Sequence, residues 1–186
     1  MRKIFITIFL LIFCATCVFA AEDTETLYNN SKPYSGKLMN GLDPYQDEDN
    51  AKYAYSPYPL FRTSARLYYK KYTIDPGYYQ LTPRNIGGEY YVFFKSNGKV
   101  QYIIPVVKRD FTPSADYKRY IPEPKQTKTQ KAGKKWVGFW GKVFKDSGKQ
   151  PPPASFIEIS DDGTFYVLKL YFNEHCYTTV YKKVPY

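Results

Sequence analysis

A chain of 186 residues is long enough for one conventional core and short for two. Its 27 basic and 17 acidic side chains give a formal charge of +10, which points to anionic partners. A single histidine excludes multi-histidine metal sites and any mechanism that needs two imidazoles.

The chain opens on Met1-Arg2-Lys3 and then Ile4 to Phe13, an apolar run broken only by Thr7. Val18-Phe19-Ala20 puts small or modest residues at the positions a signal peptidase inspects. Residues 1 to 20 therefore read as a signal peptide cleaved after Ala20, and the protein as exported, periplasmic or secreted. An uncleaved anchor is one competing reading, since Ile4 to Ala21 approaches the roughly 20 residues of a membrane span. A lipid-modified Cys14 or Cys17 is another, with Phe13 or Thr16 where a lipoprotein signal has a small residue. Cleavage would remove Arg2 and Lys3, leaving +8, and would leave Cys176 alone, so stability must come from packing.

Residues 21 to 54 have few branched aliphatics and carry Glu22, Asp23, Glu25, Asp43, Asp47, Glu48 and Asp49. So little apolar surface predicts an extended or disordered arm, drawn toward the basic body by attraction that salt would weaken.

Residues 55 to 186 are expected to form a single β-rich domain. Arg66 to Ile74 and Tyr78 to Leu81 flank Asp75-Pro76-Gly77, a turn tripeptide with proline preset and glycine free. Glu89 to Lys95 and Val100 to Val107 flank Ser96-Asn97-Gly98-Lys99, the strongest short-range hairpin signal in the chain. Phe156 to Ser160 and Thr164 to Phe172 flank Asp161-Asp162-Gly163, and a last strand, Cys176 to Val184, follows Asn173-Glu174-His175. Laying Gly98 on Gly163 aligns Val92 with Ile157 and Phe94 with Ile159, a likeness that one shared turn rule explains without duplication.

Between the hairpins, Pro113 to Pro124 reads as a linker, and the period changes from two to nearly four over residues 127 to 147. At 100° steps Trp136, Val137, Phe139, Trp140, Val143 and Phe144 share an arc, with Lys128, Lys131, Lys134, Lys135, Lys142 and Lys145 opposite. That pattern predicts an amphipathic helix stopped by Gly148 and Pro151-Pro152-Pro153. The preferred reading packs its aromatic face on the sheet; the alternative lays it on a membrane surface, a peripheral contact.

No motif for catalysis, cofactor or metal emerges, so the expectation is a non-enzymatic protein without cofactor. His175 and Cys176 are neighbours whose side chains point to opposite faces of a strand, wrong for a thiol and its base. Asp161 and Asp162 are accounted for by the turn. The binding candidates are Lys131, Lys134, Lys135, Trp136, Trp140 and Lys142, facing an anionic envelope component or a protein partner. Export argues against nucleic acid, although aromatic strands and positive charge would suit it. The 21 tyrosines, several doubled as in Tyr90-Tyr91, suit contact surfaces for proteins or sugars, and equally suit strands that must stay soluble.

The fold expected is α+β and mainly antiparallel β: a curled sheet or partly closed barrel of about seven strands with one amphipathic helix packed on it. In outline this is similar to small exported β-barrel proteins such as lipocalin-like domains, without their motifs. That likeness carries the alternative function, a small-ligand carrier using the interior of the curled sheet; a hydrolase is a distant third.

Overall fold

The computed structural model describes residues 23–36, 38, 41–121 and 150–184. The expected signal peptide and the 127–147 helix lie outside the described residues. Within them the protein is mainly antiparallel β with few helices, arranged as two open sheets. The first runs β1-β4-β5-β6, from β1 (Leu60–Thr63), β4 (Gly77–Ile86), β5 (Glu89–Ser96) and β6 (Lys99–Pro105). The second runs β3-β2-β10-β9-β8, from β3 (Tyr72–Ile74), β2 (Leu67–Tyr69), β10 (His175–Lys182), β9 (Phe165–Phe172) and β8 (Ser155–Asp162). A short β7 (Lys108–Phe111) also pairs β10, at Thr178 to His175, while β2 meets it further along at Lys182.

This corrects the expectation of one curled sheet of about seven strands. The run Arg66 to Ile74 is not one strand: it bends at Lys70, whose φ of 49° is left-handed, and its halves β2 and β3 form a hairpin. Asp75-Pro76 therefore does not close a hairpin. It carries the chain from the second sheet to the first, where β4 pairs β5 through Gly87 and Gly88, at φ 62° and 91°. Two consecutive left-handed residues match the twist of a tight hairpin, and glycine adopts them without strain. Asn97 and Gly98, at φ 51° and 74°, do the same between β5 and β6, as the sequence predicts. Between β8 and β9 the loop is Gly163-Thr164, because Asp162 already pairs Phe165. The glycine is thus the first loop residue there and the second at Asn97-Gly98, so the two hairpins do not superpose glycine on glycine.

The facing sides of the sheets are filled by large rings. Phe61, Tyr79, Leu81 and Phe94 from the first sheet meet Leu168, Leu170 and Tyr181 from the second, all buried. Phe94 stands edge-on to Phe61, Tyr79 and Tyr181, with centroids 6.0, 5.7 and 6.1 Å away. Each such side chain removed from water contributes about 1.5–3 kcal/mol, which lets this core do without a disulfide. Pro83 is tolerated inside β4 because β1 pairs only as far as Gln80, leaving an edge beyond it.

The acidic stretch also departs from expectation. Described residues 23–36 and 41–54 carry α1 (Thr24–Asn30) and α2 (Gln46–Lys52) and lie against the body. The reason is Tyr28, fully buried against the second sheet, with Tyr69 and Phe165 5.8 and 5.4 Å from its ring. Its hydroxyl accepts the Lys70 N–H at 2.9 Å, and the ammonium groups of Lys70 and Lys182 stand over its ring. One large aromatic provides the apolar burial that the rest of the stretch lacks.

Candidate functional site

The other anchor of the N-terminal stretch is electrostatic. Alternation along β4 and β5 turns Thr82, Arg84, Phe93 and Lys95 away from the inter-sheet core, and Thr82 and Phe93 are nevertheless fully buried. What lies over this face includes Asp43, whose carboxylate accepts from Arg84 at 2.6 Å and from Lys95 at 3.0 Å. Asp49, on α2, pairs the same guanidinium and accepts from the Tyr58 hydroxyl at 2.7 Å. Burial alone would raise the Asp43 pKa, but the bonds from Arg84 and Lys95 outweigh it and hold the carboxyl below its ordinary range. Burial and the Asp49 bond push the Tyr58 phenol well up. Two carboxylates against two cations leave the cluster neutral, so its chemistry is that of an anchor.

A second feature is open to solvent. α3 (Ser114–Lys118) follows β7 and brings Tyr117 against the outer side of β8 and β9. Tyr117 is buried, its hydroxyl held between the carbonyl oxygens of Ala154 and Asn173, and burial with the Glu174 charge pushes its pKa up to about 12. From it four rings follow one another at small tilts. Tyr117 to Tyr171 is 5.3 Å and 33°, Tyr171 to Phe156 is 6.0 Å and 34°, and Phe156 to Tyr120 is 5.9 Å and 24°. Phe156 and Tyr171 are register partners, and Glu158 shares the Phe156 face because strand side chains alternate.

These groups, with Thr112, Asp116 and Arg119, line a slot of about 420 Å3. Glu158 accepts from the Tyr171 hydroxyl at 3.0 Å; burial first, and then that bond, raises the phenol's pKa. The Arg119 guanidinium stands 4.9 Å over the Tyr120 ring, which is 57% exposed. Flat apolar faces lined by the Asp116 and Glu158 carboxylates and the Arg119 guanidinium suit the side chains of a partner, held by stacking and oriented by charge.

Cys176 is the register partner of Tyr171 and is buried; loss of solvent raises its thiol pKa, which bonds from Thr178 and Tyr171 only partly offset. His175 faces the other way. Its Nε2 lies 2.6 Å from Nη2 of Arg109, whose guanidinium stands 4.4 Å over the Tyr90 ring. Arginine can only donate, so Nε2 is the acceptor in this contact. The thiol and the imidazole do not meet. Asp161 pairs Lys183 instead of shaping the turn, which begins one residue after Asp162.

Lys131, Lys134, Lys135, Trp136, Trp140 and Lys142 all lie outside the described residues. The slot was not anticipated. Phe156 and Tyr171 fall in strands the sequence does show, but Tyr117 and Tyr120 sit in the stretch read as a proline-bearing linker. The signal present was a helix-compatible Ser114-Ala115-Asp116 directly after Pro113. Among the described residues no three His, Cys, Asp or Glu side chains cluster as a metal site would require, and no helix is long and apolar enough to cross a membrane. No family model, curated protein or solved structure matches the chain.

Proposed function

We propose that the chain is an exported, non-enzymatic binding protein of the cell envelope or extracellular space, and that the slot of Tyr117, Tyr120, Phe156 and Tyr171 receives a partner protein. The observation that carries this reading is the ring series itself. Tyr120 and Phe156 stack with each other at a rim where they gain no core burial, and 57% of the Tyr120 surface remains in water. Rigid aromatic surface with polar tips is the composition of contact surfaces, because it offers area at low entropy cost.

Attraction to an anionic envelope component belongs, in this reading, to residues 122–149. They hold eight lysines against Glu123 and Asp146, a net +6 of the chain's +10. Lys131, Lys134, Lys135 and Lys142 would face the surface, with Trp136 and Trp140 at its boundary. The carrier alternative needs an apolar interior chamber, and the inter-sheet contacts of Phe94 with Phe61, Tyr79 and Tyr181 weigh against it.

The test is recovery of partners by the mature domain from its own envelope extract, at low and high salt. Tyr120→Ala and Phe156→Ala should each abolish recovery of a salt-resistant partner while leaving the fold intact by circular dichroism. Replacing Lys131, Lys134, Lys135 and Lys142 by glutamine should abolish retention on anionic vesicles. Unchanged recovery by both ring variants refutes the slot, and unchanged retention refutes the surface contact.

A further inference from the structure

Among the described residues the same rim carries an open strand edge, and we propose that β8 adds an extended, lysine-bearing segment of a partner protein as a further antiparallel strand. This inference rests on the partner-binding reading of the slot and supplies the form of the partner. β8 ends the strand order of the second sheet, and all eight of its residues pair β9 without a register shift. Asp162 and Phe165 flank a two-residue loop, so they exchange both ladder bonds, and the alternation then assigns Ser160, Glu158 and Phe156 to β9. The N–H and C=O groups of Ile157, Ile159 and Asp161 consequently point out of the sheet, a row of donors and acceptors spaced for another strand.

Other edges are blunted. β1, β3 and β7 have four residues or fewer. β6 begins on Lys99, ends on Pro105, and pairs β5 through an irregularity beside Lys95. Gly41 lies so close to it that a Cβ there would be 3.5 Å from the Val100 carbonyl oxygen. β8, SFIEISDD, contains no proline, lysine or bulge. Long flat edges without such devices are the ones that pair with another chain.

Charge selects the occupant. β8 carries Glu158, Asp161 and Asp162 and no cation, and Glu158 to Asp162 are exposed. Lys183 holds Asp161, but Glu158 and Asp162 lie on the slot's face, where lysines of an added strand would form cross-strand pairs. A second copy of β8 would bring carboxylates against carboxylates, so self-pairing is disfavoured. The side chain that such a segment turns toward Phe156 enters the slot, joining backbone pairing to ring contact.

The experiment measures, by fluorescence anisotropy, binding of the full chain to a short synthetic peptide alternating lysine with valine, and to one alternating glutamate with valine. The lysine peptide should bind and the glutamate peptide should not. Ile159→Pro removes an outward N–H without touching the β9 ladder and should weaken binding by about tenfold or more. Because proline also constrains the strand's own backbone, Glu158→Gln with Asp162→Asn gives an independent arm that should weaken binding and flatten its salt dependence. Full binding by both variants, absence of binding by the wild-type chain, or a dimer through β8 in sedimentation would overturn the proposal. If Ile159→Pro keeps the envelope partner while Tyr120→Ala loses it, the edge fails and the slot stands; the reverse pattern sinks the slot and keeps the edge.

Discussion

Asp43→Asn tests how the acidic stretch is fastened. In the native protein this fully buried carboxylate accepts from Arg84 at 2.6 Å and from Lys95 at 3.0 Å. The variant leaves Lys95 buried without that carboxylate, while Arg84 keeps Asp49 and Tyr58. Breaking a buried pair on one side costs about 3–5 kcal/mol, a large part of the roughly 5–15 kcal/mol that holds a domain together. Urea denaturation of the two proteins at pH 7 should show that gap, and proteolysis should nick residues 41–58 of the variant first. The pH dependence has a definite sign. The Asp43 pKa is lowered on folding, so its contribution is present above the ordinary carboxyl value of 3.8 and disappears as pH falls through the lower folded value. Acidification should therefore destabilise the native chain more than the variant and close the gap. Asp47→Asn, at an exposed position on α2, should stay within about 0.5 kcal/mol of wild type at every pH. A loss under about 1 kcal/mol for Asp43→Asn, or a gap that does not narrow as pH falls below 3.8, would refute this account of the anchor.

Tyr28→Ala should cost about 3–5 kcal/mol in chemical denaturation, as it empties a fully buried site between Tyr69 and Phe165. A cost near zero would mean that α1 does not pack on the second sheet. Gly98→Ala meets no atom within 4 Å, so its cost is backbone strain alone, about 1–2 kcal/mol at φ 74°. Thermal denaturation should show that loss, and an unchanged midpoint would contradict the left-handed loop.

What the sequence displays depends on whether the determining interaction is local. Asn97-Gly98 announces its hairpin because a tight two-residue turn needs left-handed residues, and those two adopt such a conformation readily. Gly87-Gly88 carries the same signal, but Thr82 to Ile86, with Pro83 among them, does not look like a strand until the missing neighbour of β4 is known. The division into two sheets turns on Lys70, an unusual left-handed lysine with no turn signature. The ordering of the acidic stretch depends on Tyr28 and Asp43, whose partners Lys70, Arg84 and Lys95 are tens of residues away. Such pairings leave no local pattern. The slot was hidden for the same reason, since Tyr120 meets Phe156 only after β7, α3 and β8 are in place.

The reading of the slot as a partner site is tested most directly by photo-crosslinking in the protein's own cell. A benzophenone amino acid replaces Phe156 in one chain and Tyr78, 58% exposed on β4 of the other sheet, in the control. The account predicts a discrete adduct from position 156 in the extracytoplasmic fraction, none from position 78, and loss of the adduct when Tyr120→Ala is added. Equal labelling from the two positions, or an adduct indifferent to Tyr120, would contradict it.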